Sequence, residues 1–155
     1  MEAWDEYYHS MHGALNEAIH VYIESGLAFW KAEHGIKKNP CTVFEMGFGT
    51  GLNALLTLEY AAANDFTILY ETLEPFPLAL QEVQELNFDS LQTLQNSKES
   101  LRKLHLAPWE SSVQISSTFS LIKHKILLEK FIPQRQYDVI YYDAFGFRVQ
   151  PEMWS

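Results

Sequence analysis

Cysteine is nearly absent from this chain, with Cys41 the one thiol among 155 residues. An intramolecular disulfide is thereby excluded, which suits a reducing compartment, and within its apolar run Cys41 reads as core. No apolar stretch approaches the roughly 20 residues of a bilayer-spanning helix. The opening Met1-Glu2-Ala3-Trp4-Asp5-Glu6 is acidic where a secretory signal is basic and then apolar. A soluble, cytoplasmic protein is therefore expected. Basic residues are also scarce: 11 Lys and Arg stand against 20 Asp and Glu, a formal charge of −9. That excludes a nucleic-acid footprint spread over the whole surface. The imbalance is uneven, since residues 1–40 hold six acidic and three basic residues, 41–100 nine and one, and 101–155 five and seven. Only the last third, with Arg102, Lys103, Lys123, Lys125, Lys130, Arg135 and Arg148, is left to meet a polyanion. Solvated lysines on helix faces would give the same count.

A hydrophobic content of 47% over 155 residues supports a core for one domain and not for two. Residues 1–40 read as an N-terminal cap and 41–155 as the main α/β part, without internal repeats or low-complexity segments. In the cap, Val21-Tyr22-Ile23 suggests a short strand and Leu27 to His34 a helix stopped by Gly35. Thr42 to Glu45 predicts a first sheet strand, followed by a helix from about Gly51 to Ala63 on the apolar face of Leu52, Leu55, Leu56, Leu58 and Tyr60. Phe66 to Leu73 predicts a second strand, closed by Glu74 and broken by Pro75 and Pro77 before a helical stretch from Leu78 to Leu86. Asp89 or Ser90 would cap a further helix through about Leu104. The third strand lies near Val113 to Ile115 or Leu121 to Ile126. Tyr137 to Tyr142 is a nearly continuous apolar run of the kind buried on both faces of a parallel sheet, and it ends in Asp143. Strands alternating with helices predict an α/β, doubly wound, mostly parallel sheet.

The chemistry-bearing signal is the turn Glu45-Met46-Gly47-Phe48-Gly49-Thr50-Gly51 between the first strand and its helix. A glycine turn there lets backbone approach a ligand and aims a helix N-terminus at it. The dinucleotide pattern G-x-G-x-x-G would need glycine where Leu52 stands, and no P-loop lysine follows. G-x-G-x-G after an acidic residue resembles instead the first motif of S-adenosylmethionine-dependent methyltransferases, which predicts Glu45, Gly47, Phe48, Gly49, Thr50, Gly51 and Asn53 as cofactor-binding. Glu74, at the next strand's carboxyl end, is placed where a carboxylate accepts both ribose hydroxyls of a nucleoside, with Glu71 a rival for that role. His9, His12, His20 and Glu17 lie close in sequence but complete no zinc-like ligand set, so no metal is expected. His105 and His124 stand isolated.

Further along, Asp143-Ala144-Phe145 is followed by Pro151-Glu152-Met153-Trp154. Together with Gly47-Phe48-Gly49-Thr50-Gly51-Leu52-Asn53, Glu74-Pro75-Phe76-Pro77-Leu78, and Tyr8, Ser10, Gly13, Glu17 and His20-Val21-Tyr22-Ile23 in the cap, it resembles the MnmC-type tRNA methyltransferases over most of the chain. The resemblance implies a Rossmann-like methyltransferase fold and S-adenosyl-L-methionine as cofactor. It implies methyl transfer to the primary amine of 5-aminomethyl-2-thiouridine at the tRNA wobble position. It assigns Asp143 to orienting that amine and taking its proton, and Phe145, Pro151 and Trp154 to the substrate side, with Phe145 stacking on the base.

Three departures from the family pattern accompany it. Phe147 replaces a proline, apolar Ile126 or Leu127 stands where an acidic residue would contact adenine, and the expected last three strands do not follow within 155 residues. The flavin-dependent oxidase domain of the bifunctional relatives is likewise not expected here. A sheet ending at Tyr142 would leave an apolar edge open to pairing with a second copy, and a shortened, inactive remnant that dimerises there is the alternative reading.

Overall fold

The computed structural model describes residues 13–34, 40–85 and 97–142. Residues 13–34 are helical throughout. A π-helix spans Ile19–Ala28 and passes into α1, Phe29–His34. The strand expected at Val21-Tyr22-Ile23 is thus a helical segment. Its β-branched residues suggest a strand locally, but the inward positions Leu15, Ala18, Tyr22, Leu27 and Trp30 form one stripe against the core. Tyr22 and Leu27 are separated by one residue more than an α-helical turn allows, and the wider π turn absorbs the difference.

The main part follows the expected alternation, with β1 at Cys41–Met46, α2 at Leu52–Ala63, β2 at Ile68–Leu73, α3 at Leu80–Glu85 and α4 at Lys98–Leu106. Strands β3, Ser112–Ser116, and β4, Phe119–His124, form a hairpin, so both candidates for a third strand are real. Strand β5 is Val139–Tyr142. The cap proposed at Asp89 or Ser90 and the stop at Gly35 lie outside the described residues.

The sheet order is β3-β4-β2-β1-β5, parallel throughout except for the β3–β4 pair. From β1 the chain steps outward to β2 and β4, then returns to the other side of β1 as β5. Parallel crossovers keep one hand, so reversing the direction of travel moves the connection to the opposite face. The packing shows this division. The π-helix, α1, α2, α3 and α4 supply Leu27, Trp30, Leu55, Val83 and Leu104 to one core with Val43, Tyr70, Leu121 and Tyr141. The β4–β5 connection lays Ile126, Leu128, Phe131 and Tyr137 over Phe44 and Leu73 on the other face. This is an α/β, Rossmann-like arrangement whose switch point lies between β1 and β5.

Helix α2 is buried from Leu52 to Leu58 because sheet, π-helix and α4 enclose it. Strand β5 alternates instead: Val139 and Tyr141 are buried, while Ile140 and Tyr142 are 61% and 52% exposed. The double-sided burial expected of this run is not met, because β5 is an edge among the described strands and its second face has no described cover. Pairing of a second copy along this edge has no support in the structure. No helix among the described residues is long and apolar enough to cross a membrane.

Leu55 is fully buried at the centre of α2. Leu55→Ala is expected to cost about 3 kcal/mol, the usual range for a core leucine cavity, read as a lower urea midpoint with unchanged slope.

Candidate cofactor site

The turn after β1 lies at the sheet's carboxyl edge, and hydrogen bonds define its shape. The amides of Gly47 and Phe48 both donate to the Leu73 carbonyl, at 3.0 and 3.1 Å, tying the turn to the end of β2. The Gly49 amide donates to Glu74 Oε1 at 2.8 Å, and the Phe76 amide donates to Glu74 Oε2 at 3.1 Å. Loop and carboxylate, two motifs separated by a strand and a helix in sequence, thus share one site. A carboxylate oxygen has two acceptor lone pairs. Glu45 is fully buried beneath the loop, where Thr72 Oγ1 donates to its Oε1 at 2.9 Å.

The three glycines have different reasons to be glycine. All have positive φ, 95° at Gly47, 55° at Gly49 and 84° at Gly51. A Cβ at Gly49 would meet nothing within 4 Å, so backbone there stands open to an approaching ligand. A Cβ at Gly51 would lie 2.9 Å from His105 Nε2 and 3.2 Å from the Phe48 ring, so Gly51 is required by packing. Phe48 itself is buried, and Asn53 is buried on α2 with its carbonyl accepting from Thr57 Oγ1 at 2.7 Å. The Phe48 side chain therefore serves the core. Thr50 is partly exposed at the tip. The amides of Gly47, Phe48, Gly49 and Gly51 are spent within the protein, so what the turn offers is close backbone approach at Gly49 beside the Glu74 carboxylate, and a nucleoside such as S-adenosylmethionine fits that cradle on this count.

Behind the loop lie two residues that sequence reasoning passed over. Lys123 is buried, donates Nζ to the His105 carbonyl at 2.9 Å, and stands 4.5 Å from the Trp109 ring centroid and 5.4 Å from that of Phe48. Burial pulls its pKa down to about 8. His105 is hydrogen-bonded through Nε2 to the Thr50 carbonyl at 2.7 Å. Burial lowers its pKa, the Lys123 charge adds to this, and the Thr50 bond opposes it. A signal for Lys123 exists in the sequence: Phe119, Leu121 and Lys123 share the inward parity of one strand, so its reading as a solvated lysine was overridden by register.

On the opposite face, Glu71 is buried and fully engaged. His124 Nε2 donates to its Oε2 at 2.6 Å, Arg135 Nη1 donates to its Oε1 at 3.1 Å, and the Tyr137 hydroxyl also donates to Oε1. His124 Nδ1 meets Glu110 Oε2 at 2.8 Å, so both ring nitrogens face carboxylates and the ring is held as imidazolium. Burial pulls the His124 pKa down, but the bonds and charges of Glu71 and Glu110 outweigh it, and the net shift is upward. Glu71 is thus the anchor of the β4–β5 connection, and its oxygens are occupied by His124, Arg135 and Tyr137. Ile126 belongs to this second apolar cluster, and Leu127 precedes the 3-10 turn Leu128–Lys130. Asp143, Phe145, Pro151 and Trp154 lie outside the described residues. His20 meets only Glu24, at 3.5 Å, and no cluster of potential metal ligands occurs among the described residues.

No family model matches the chain. It is similar to the "tRNA 5-methylaminomethyl-2-thiouridine biosynthesis bifunctional protein MnmC" of Leptospira interrogans serovar copenhageni, 27% identical over 165 residues covering 99% of this chain. The same-named proteins of Idiomarina loihiensis and Hydrogenovibrio crunogenus are 27% and 26% identical over 98% of it. Similarity over nearly the whole chain is consistent with an MnmC-like domain. The chain spans about a quarter of the length of these curated relatives. The described part of the chain brings the glycine turn and Glu74 together, with His105 and Lys123 behind the turn.

Two outcomes test this geometry. Gly51→Ala is expected to destabilise the domain more than Gly49→Ala, because both incur about 1 kcal/mol of left-handed strain but only the former also meets His105, Phe48 and Leu101; urea melts compare them. The second concerns His124. Its raised folded pKa means more protons bound in the native state, so its stabilisation is full below the ordinary value of 6.5 and lost as pH rises through the folded value. The wild type should lose stability from this source as pH rises above 6.5, and His124→Gln should flatten that slope.

Proposed function

We propose that the 155 residues form one S-adenosylmethionine-dependent methyltransferase unit acting in tRNA wobble-uridine modification in the cytoplasm. The single observation behind this reading is the Gly49 amide on Glu74 Oε1 at 2.8 Å, which joins the two cofactor motifs at the carboxyl edge beside the switch point. The names of the relatives point to the same chemistry, being proteins of 5-methylaminomethyl-2-thiouridine biosynthesis in tRNA.

The cofactor supplies a methyl group already activated on a sulfonium, so the protein's task is orientation of an unprotonated amine. Glu74 would hold the ribose hydroxyls, and the turn from Gly47 to Gly51 would face the methionine part with its backbone. Asp143 follows directly on Tyr142, which pairs with Met46 at the entrance to the turn. A carboxylate there would accept a proton from the substrate ammonium and orient the amine. Phe145 would stack on the base, and Pro151 and Trp154 would line its pocket. The basic residues of the last third offset the acidity of the cofactor half where a phosphate backbone must approach.

Calorimetric titration with S-adenosylhomocysteine is expected to show binding that Glu74→Ala weakens by at least about tenfold, or 1.4 kcal/mol. No heat at millimolar ligand would overturn the reading. Asp143→Asn should leave that binding intact and lower methyl transfer to undermethylated tRNA about a hundredfold, the scale of a lost general base. Unchanged turnover would remove Asp143 from the mechanism.

A further inference from the structure

We propose that His105 is the positioning residue that holds the cofactor turn in shape, by clamping the Thr50–Gly51 peptide from behind. The reading of this turn as a cofactor site rests on the function proposed above; the clamp itself rests on geometry alone.

The Thr50–Gly51 peptide is bonded at both of its polar ends. Its N–H, on Gly51, donates to the Phe48 carbonyl at 2.9 Å, and its C=O, on Thr50, is met by His105 Nε2 at 2.7 Å. A carbonyl only accepts, so Nε2 carries the hydrogen. Glycine makes such a clamp necessary. Gly51 sits at φ 84° and opens helix α2 without any side-chain cap. A residue with no Cβ leaves this peptide free to rotate, and rotation would break the Gly51 to Phe48 bond that closes the turn. Glycine also makes the clamp feasible, since a Cβ would stand 2.9 Å from Nε2 and displace the ring.

The imidazole packs against the Phe48 ring at 4.9 Å between centroids, and the backbone that carries it is fixed by Lys123 Nζ, which donates to the His105 carbonyl at 2.9 Å. Lys123 in turn is pinned over Trp109 and Phe48. A chain of contacts thus runs from β4 through α4 to the turn, and its end point is a polar bond to the peptide that leads into α2. Burial keeps the ring toward its neutral form, in which the Nε2 hydrogen remains on the Thr50 side.

Glutamine places an amide nitrogen at a reach similar to Nε2, whereas leucine fills volume without a donor. Hydrogen exchange of a peptide covering residues 47–55 is compared in wild type, His105→Gln and His105→Leu, beside calorimetry with S-adenosylhomocysteine. The leucine variant should exchange at least tenfold faster in this segment and bind at least tenfold more weakly, with the glutamine variant close to wild type in both. Wild-type exchange in the leucine variant, or a glutamine variant no better than leucine, overturns the clamp. If the leucine variant does not melt cooperatively, His105→Asn, polar but too short to reach Thr50, takes its place with the same expectations. A wild type that binds no S-adenosylhomocysteine would remove the proposed function while the exchange rates still decide the clamp.

Discussion

Pairing of β1 with β2 on one side and β5 on the other is the constraint on which the rest depends. Each partner delivers its carboxyl end to the same edge: Leu73 and Glu74 from β2, Tyr142 from β5, and the turn from Gly47 to Gly51 from β1 itself. The Leu73 carbonyl takes two turn amides and the Glu74 carboxylate a third, so the turn is fixed to β2 before any ligand enters. Because the chain reverses direction at β1, the two faces beside this edge are covered by different segments, and a crevice at such a reversal is where open α/β sheets bind ligands.

The buried charges divide along the same line. On the helix-covered face, Lys123 lies among aromatic rings and stabilises the end of α4, which supports the turn. On the other face, Glu71 collects His124, Arg135 and Tyr137 and straps the β4–β5 connection to the sheet. A buried carboxylate with three donors loses about 3 kcal/mol or more when its partners are removed, because what remains is an uncompensated charge. Both devices act on position: one sets the turn after β1, the other sets where the chain re-enters the sheet as β5. They are connected through β4, since Lys123 and His124 are neighbours with opposite faces.

Reading the sequence placed β1, β2 and β5, offered β3 and β4 as alternatives for one strand, and misjudged two features. The π-helix was read as a strand because Val21 and Ile23 have β-branched side chains, and only packing against β5 reveals that Tyr22 and Leu27 belong to one helical stripe; Gly26 sits close to Val139 and Tyr141 there. The apolar run ending at Tyr142 was read as buried on both sides, yet Ile140 and Tyr142 are exposed among the described residues. Hydrophobicity reports what a strand can bury, and neighbours decide what it does bury.

Local sequence determined the glycine turn, the acidic strand ends and the alternation of strands with helices, because backbone conformation at glycine and the period of apolar residues are local properties. It also carried the family resemblance, through motifs spread over the chain. Tertiary structure decided which glycine answers to packing and which to open space, since Gly51 is constrained by His105, a residue 54 positions away. It separated Glu74, bonded to the turn, from Glu71, bonded to His124, Arg135 and Tyr137, though the two differ in sequence by three positions. It also gave Lys123 and His105 their roles. Those depend on strand order and helix docking, and no spacing along the chain encodes which side chain arrives behind a turn.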